Sequence, residues 1–280
     1  MIEHRHGCID YDESGAGPTV VLVPGSCSTG AAWRPVISQW NGNFRCVTTS
    51  LLGYGGTAER RTSADADISH EAEIIEAVVR RSGGPVHLVG HSFGGLTALA
   101  VALRKKVPLL SMTIAEAPAP QILHHTGEHE HYRAFRDMTE AYFATFHAGD
   151  EAPIEQMIDF FGGAGTFASW PQRVRAYAVE TMPVSILDWA SAYGFEMTPA
   201  LLRYVDVPAL VVCGEASNPA VRRANELLGH YMPNALTIAI PGAAHFMIAT
   251  HASEVAAAIA RHVASAEKVA HIACDANLTI

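Results

Sequence analysis

The sequence predicts an α/β protein: a doubly wound, mostly parallel sheet with an inserted helical cap. Three observations carry this. Short apolar runs recur at TVVLVPG (19–25), FRCVTTS (44–50), PVHLVGHS (85–92), LLSMTIAEAP (109–118), PALVVCGE (208–215) and ALTIAIPG (235–242). Most are rich in Val, Ile or Leu and end at a turn signal, as parallel strands buried on both faces do. Helical patterns separate them, over 69–82, 95–106 and 252–264. Between Pro118 and Pro208 the pattern is helical, with no convincing strand.

A chain of 280 residues, 49% hydrophobic and 17% charged, suits one large domain carrying an insertion. Residues 1–120 and 205–265 are read as the sheet core, 121–204 as the helical cap, and 266–280 as a C-terminal tail. Tyr132, Phe135, Met138, Tyr142, Phe143 and Phe146 lie near helical spacing and are read as core packing of the cap. The net charge of −9 argues against a nucleic-acid partner, which selects for a basic face. No apolar run reaches membrane-spanning length, and the start MIEHRHGCIDYDESG is polar and acidic, so the cytoplasm is the expected compartment. Five scattered cysteines without a CxxC pair argue against a disulfide framework or a cysteine-based zinc site.

Gly90-His91-Ser92-Phe93-Gly94 fits G-x-S-x-G, with a strand running in and the helix GLTALAVALRKK running out. That setting marks a nucleophile elbow, whose tight turn leaves no room for Cβ atoms at the glycines. Serine is a poor nucleophile without a base to take its proton. Among 15 histidines, His245 is selected because it follows the last strand and precedes the last helix; His251 is the alternative. An oxyanion hole needs backbone N–H groups aimed at the developing charge. Phe93, directly after the nucleophile, supplies one. The loop Pro24-Gly25-Ser26-Cys27-Ser28 supplies the other, with the Ser26 N–H preferred and Cys27 next.

These segments resemble the capped α/β-hydrolases over nearly the whole chain. VLVPGSCSTGAAW resembles the family's strand–HG–oxyanion segment, with Pro24 where histidine is usual. TTSLLGYGGT resembles D-x-x-G-x-G-x-S, with Ser50 in place of aspartate. GHSFGG is typical, and PGAAHF resembles G-x-G-H. The family usually carries its triad acid in G-x-x-D after the strand PALVVCGE. Here Ser217 holds that position, which cannot bear the charge that steadies an imidazolium. Glu116 ends the strand LLSMTIAE, 24 residues after Ser92, and is the preferred acid, with Glu215 the alternative. Zearalenone lactonases are similar in carrying a glutamate at that strand end.

The resemblance implies a serine hydrolase with Ser92, His245 and Glu116 as its triad and Ser26 and Phe93 as its oxyanion hole. Gly25, Cys27, Trp33, His91, Trp170 and Phe246 are the expected substrate-binding residues. The expected reaction is hydrolysis of a small to medium apolar ester or lactone, with no cofactor and no metal. Cleavage of a carbon–carbon bond in a β-diketone, or binding without turnover on the same fold, are the alternatives. The four histidines of HHTGEHEH (124–131) are read as a solvated loop rather than a metal site.

Overall fold

A computed structural model describes residues 1–4, 7–148 and 153–277. Residues 149–152 of the expected cap and 278–280 of the expected tail lie outside the described residues. The chain opens on three short strands that the apolar pattern did not signal: β1 (Ile2–His4), β2 (Gly7–Ile9) and β3 (Asp12–Ser14). The apolar runs form β4 (Thr19–Val23), β5 (Arg45–Thr48), β6 (Val86–His91), β7 (Leu109–Ala115), β8 (Ala209–Gly214) and β9 (Ala235–Ile240). The main sheet runs β3-β5-β4-β6-β7-β8-β9 and is parallel apart from β3, which pairs antiparallel with β5.

Before β7 come α1 (Arg34–Gln39), α2 (Ser69–Ser82) and α3 (Phe93–Arg104). Between β7 and β8 the chain is helical, as its pattern predicts: α4 (Pro120–His125), α5 (His129–His147), α6 (Pro153–Gly162), α7 (Thr166–Ser169), α8 (Gln172–Glu180), α9 (Met182–Gly194) and α10 (Pro199–Leu202). After β8 follow α11 (Pro219–Tyr231), α12 (Met247–Thr250) and α13 (Ala252–Asn277). The last helix does not stop at 264. The stretch from Ala252 to Asn277 has neither Gly nor Pro, so nothing breaks it, and the expected tail continues α13 to Asn277.

Alternate residues of each central strand point to opposite faces, and both faces are covered. Val21 and Val23 of β4 join a core shared with α2, α3 and α11; Val20 and Leu22 join the core under α1 and α13. The chain leaves β4 toward β5 on one side, and β6, on the other side of β4, continues toward β7. Neighbouring strands whose onward connections diverge open a crevice at their carboxyl ends, where ligands of such sheets bind. The Pro24–Ser28 loop and the Ser92 turn both leave the sheet at that point. No helix among the described residues is long and apolar enough to cross a membrane.

Candidate active site

Ser92 sits between β6 and α3 with φ 54° and ψ −127°. Its N–H donates to the Ala115 carbonyl at 2.9 Å, extending the β6–β7 ladder by one rung. The flanking glycines are sterically required. A Cβ on Gly90 would strike the Gly94 carbonyl oxygen, and one on Gly94 would strike the carbonyl oxygen of Pro24. Among the described residues only five non-glycines have positive φ, and three of them, Cys27 (55°), Ser92 (54°) and Glu116 (49°), follow strand ends at this edge of the sheet. Such a conformation costs about 1–3 kcal/mol per residue and persists where the surroundings over-determine it.

A hydrogen-bonded chain joins the three candidates. The Ser92 hydroxyl lies 3.0 Å from His245 Nε2, and His245 Nδ1 lies 3.0 Å from Glu116 Oε2. With Nδ1 protonated, His245 donates to the carboxylate and presents a bare Nε2 to the serine. Glu116 is fully buried, His245 is 2% exposed, and the ring of Phe161 covers His245 at 4.4 Å between centroids. His251 pairs with Thr250 instead, at 2.9 Å.

The carboxylate reaches this place by a route that involves the vacant family position. Glu116 Oε1 accepts the Gly214 N–H at 2.6 Å, at the end of β8, where the family's acid would otherwise begin its loop. Ser217 is buried there, and its hydroxyl has no hydrogen-bond partner among the described residues. Glu215 is exposed, and its carbonyl accepts from Arg222. Asn225 of α11, wholly buried, accepts from the Ala117 N–H and donates to the Ala117 carbonyl, both at 2.9 Å, fixing the turn that carries Glu116. At Ser50, the other departure from the family pattern, a carboxylate arrives from elsewhere: Asp10 accepts from the Ser50 hydroxyl at 2.8 Å and the Gly56 N–H at 2.9 Å.

A cleft of about 430 Å³, its open mouth included, meets Ser92 and His245. Ser26 and Phe93, the expected oxyanion-hole residues, line it; of the expected binding residues Phe246 does, and the apolar walls come mainly from Met157, Ile158, Phe161 and Trp189. Gly25 lies beneath Ser92, where a Cβ would stand 2.8 Å from that of the serine. Trp33, His91, Cys27 and Trp170 do not line the cleft. Trp33 is buried in the core on the α1 side and meets His91 edge-on at 6.5 Å. His91 is held neutral, pushed down to about 3 by burial and by His245, and its Nε2–H donates to the His245 carbonyl at 2.8 Å. It fixes the histidine's backbone instead of facing a ligand. The Cys27 thiol is buried and pushed up to about 12, first by burial and then by the charge of Asp188. Trp170 stands behind Phe246, ring centroids 5.0 Å apart.

Asp188, on α9, is a cleft residue that the sequence patterns did not single out. It accepts from Ser26 Oγ at 2.5 Å, Tyr54 OH at 2.7 Å and Arg61 Nη1 at 2.8 Å. A lone acidic residue in the apolar helix MPVSILDWASAYG was the available signal. For metals, the described residues hold no group of three or more His, Cys, Asp or Glu placed to bind an ion. His125 of the HHTGEHEH segment pairs with Glu196 at 2.8 Å, and Glu128 with Arg223 at 2.5 Å.

A strained serine after a central parallel strand, bonded to a histidine after the last strand, is the arrangement of an α/β-hydrolase site. The model of the alpha/beta hydrolase family matches residues 20–258, and the chain belongs to that family. A pimeloyl-[acyl-carrier protein] methyl ester esterase of Aeromonas salmonicida (strain A449) is 32% identical over 111 residues, 39% of this chain and 42% of that protein. The chain thus matches less than half of that relative's length. Among solved structures, a thermophilic esterase from Thermogutta terrifontis superposes with TM-score 0.74 at 20% identity, covering 92% of this chain and 93% of that one. MenH from S. aureus gives TM-score 0.74 at 16% identity, covering 94% of this chain and all of that one. At these identities the structures share the fold.

Proposed function

We propose that this protein is a serine hydrolase that cleaves an ester or lactone of a small to medium apolar substrate through an acyl-enzyme. The observation that carries the reading is the continuous chain Ser92 Oγ–His245 Nε2 and His245 Nδ1–Glu116 Oε2, each link 3.0 Å. Ser92 Oγ attacks the carbonyl carbon as His245 Nε2 takes its proton, and Glu116 steadies the imidazolium. The carbonyl oxygen becomes an oxyanion facing the N–H groups of Phe93 and Ser26. Phe93 opens α3, where a helix leaves its first N–H groups without internal acceptors and its dipole favours an anion. The tetrahedral adduct collapses, the alcohol leaves with the proton from His245, and water attacks the acyl group by the same route in reverse. No step draws on a metal or cofactor. The helices α4–α10 serve as the cap, and α6 and α9 supply apolar wall to the cleft.

Turnover of a panel of p-nitrophenyl esters and lactones tests this. At least one substrate is expected to be hydrolysed by the wild type and by no preparation of Ser92→Ala. Release of a carbon–carbon cleavage product from a β-diketone, with no ester turned over, would replace the reading with its alternative.

Gly25→Ala offers a geometric check. The added methyl meets Ser92 Cβ at 2.8 Å and Oγ at 3.3 Å, so nucleophile or loop has to shift. A displacement of the nucleophile approaching about 1 Å is expected to lower kcat by up to about 100-fold, with circular dichroism unchanged. A kcat close to wild type would show that the loop yields without disturbing Ser92.

A further inference from the structure

Asp188 stands out in the cleft because the rest of the wall is apolar. Among the lining residues it is the one carboxylate, and only Ser26, Ser92 and His245 share its polarity. It is 2% exposed, and it accepts from the hydroxyls of Ser26 and Tyr54 and from the guanidinium of Arg61. Burial pushes the Asp188 carboxyl above its usual range, and the Arg61 guanidinium, which can only donate, opposes this at 2.8 Å and favours the carboxylate.

The cation it pairs with is shared. Arg61 faces three carboxylates at once: Asp188 at 2.8 Å, Glu59 at 2.8 Å and Glu71 at 3.1 Å, the last without hydrogen-bond geometry. Burial pushes Glu71 up to about 7, so a proton shares its site near neutrality. Even with Glu71 neutral, Asp188 and Glu59 exceed the single guanidinium by one negative charge. A carboxylate offers roughly four lone-pair directions. Oδ2 accepts from both Ser26 and Tyr54 and Oδ1 from Arg61, which leaves one acceptor direction, on Oδ1.

We propose that Asp188 makes the cleft selective for uncharged substrates that bring a hydroxyl donor to it, and turns away substrates that carry a free carboxylate there. In a buried, apolar wall the field of an excess negative charge is weakly screened, so a second negative charge brought to it is repelled. A hydroxyl fills the spare acceptor position; a purely apolar chain leaves it empty. This selectivity rests on the serine-hydrolase reading above. The competing role for Asp188 is a staple that ties α9 to the Ser26 loop and does nothing else.

Three p-nitrophenyl esters separate the two roles: one of a straight-chain acid, one of its ω-hydroxy analogue, and the half-ester of the matching dicarboxylic acid, each at graded chain lengths. For the wild type, kcat/KM of the half-ester is expected to fall about tenfold or more below that of the unsubstituted ester at the length that reaches Asp188. The hydroxy ester is expected to exceed the unsubstituted one by about three- to tenfold. In Asp188→Asn both differences shrink to within about threefold. Asp188→Asn leaves Arg61 its ion pairs with Glu59 and Glu71; should it still fail to fold, the wild-type comparison of the three esters decides the proposal. A staple alone would lower Tm, and kcat for all three esters, by the same factor. A wild type that accepts the half-ester as readily as the plain ester at every length overturns the proposal, as does Asp188→Asn with its discrimination intact. Absence of turnover on all three, with Ser92 inert to a phosphonate, removes the hydrolase reading itself and this proposal with it.

Discussion

Ser92→Ala is expected to lower kcat by about 10⁴-fold or more while leaving the fold intact. The serine hydroxyl meets the cleft and lies 3.0 Å from His245 Nε2, the group placed to take its proton. Without it, only the oxyanion donors and substrate binding remain, which elsewhere sustain a small residual rate. Alanine keeps Cβ, so the packing of Ser92 against Gly25 is undisturbed and Tm is expected to hold. KM is expected to change little, because the lost interaction forms only as the reaction proceeds. Steady-state kinetics on the best ester of the panel, with circular dichroism alongside, measures both. Wild-type turnover in a folded Ser92→Ala would remove the serine from the mechanism.

Glu116→Gln is expected to cost about 10⁴-fold in kcat, and Glu215→Gln no more than a few-fold. Glutamine at 116 keeps the size and still accepts from the Gly214 N–H, but it withdraws the charge that His245 gains by donating Nδ1–H. Its amide can also turn its NH₂ toward the ring and favour the wrong tautomer. Glu215 points to solvent from the end of β8. Purified variants compared on one substrate decide the point. A crippled Glu215→Gln beside a near-normal Glu116→Gln would move the acid to the loop after β8; small losses in both would leave the histidine held by another group.

The centre of the sheet was legible because β4, β6, β7 and β8 are buried on both faces for most of their length and so write apolar runs. The strands β1–β3 were not, because DES at β3 is fully exposed and the others span three residues each. The relay followed the same logic of visibility. Ser92 and His245 each belong to a turn whose glycines and strand context leave a local trace, and Glu116 gained attention because Ser217 could not do the work. The cleft wall left no such trace. Trp33 was expected to bind substrate, yet it is buried in the core on the α1 side. Asp188 finds Ser26, Tyr54 and Arg61 across 162, 134 and 127 residues, separations at which no local pattern speaks. Asn225, which grips the turn behind Glu116, is 108 residues from its partner and equally silent.

The nucleophilic serine is tested most directly by intact-protein mass after exposure to an active-site-directed fluorophosphonate. The account predicts a single adduct on wild type, mapped by peptide digestion to Ser92, and none on Ser92→Ala. A wild type that stays unmodified, or an adduct carried on any other residue, would contradict it.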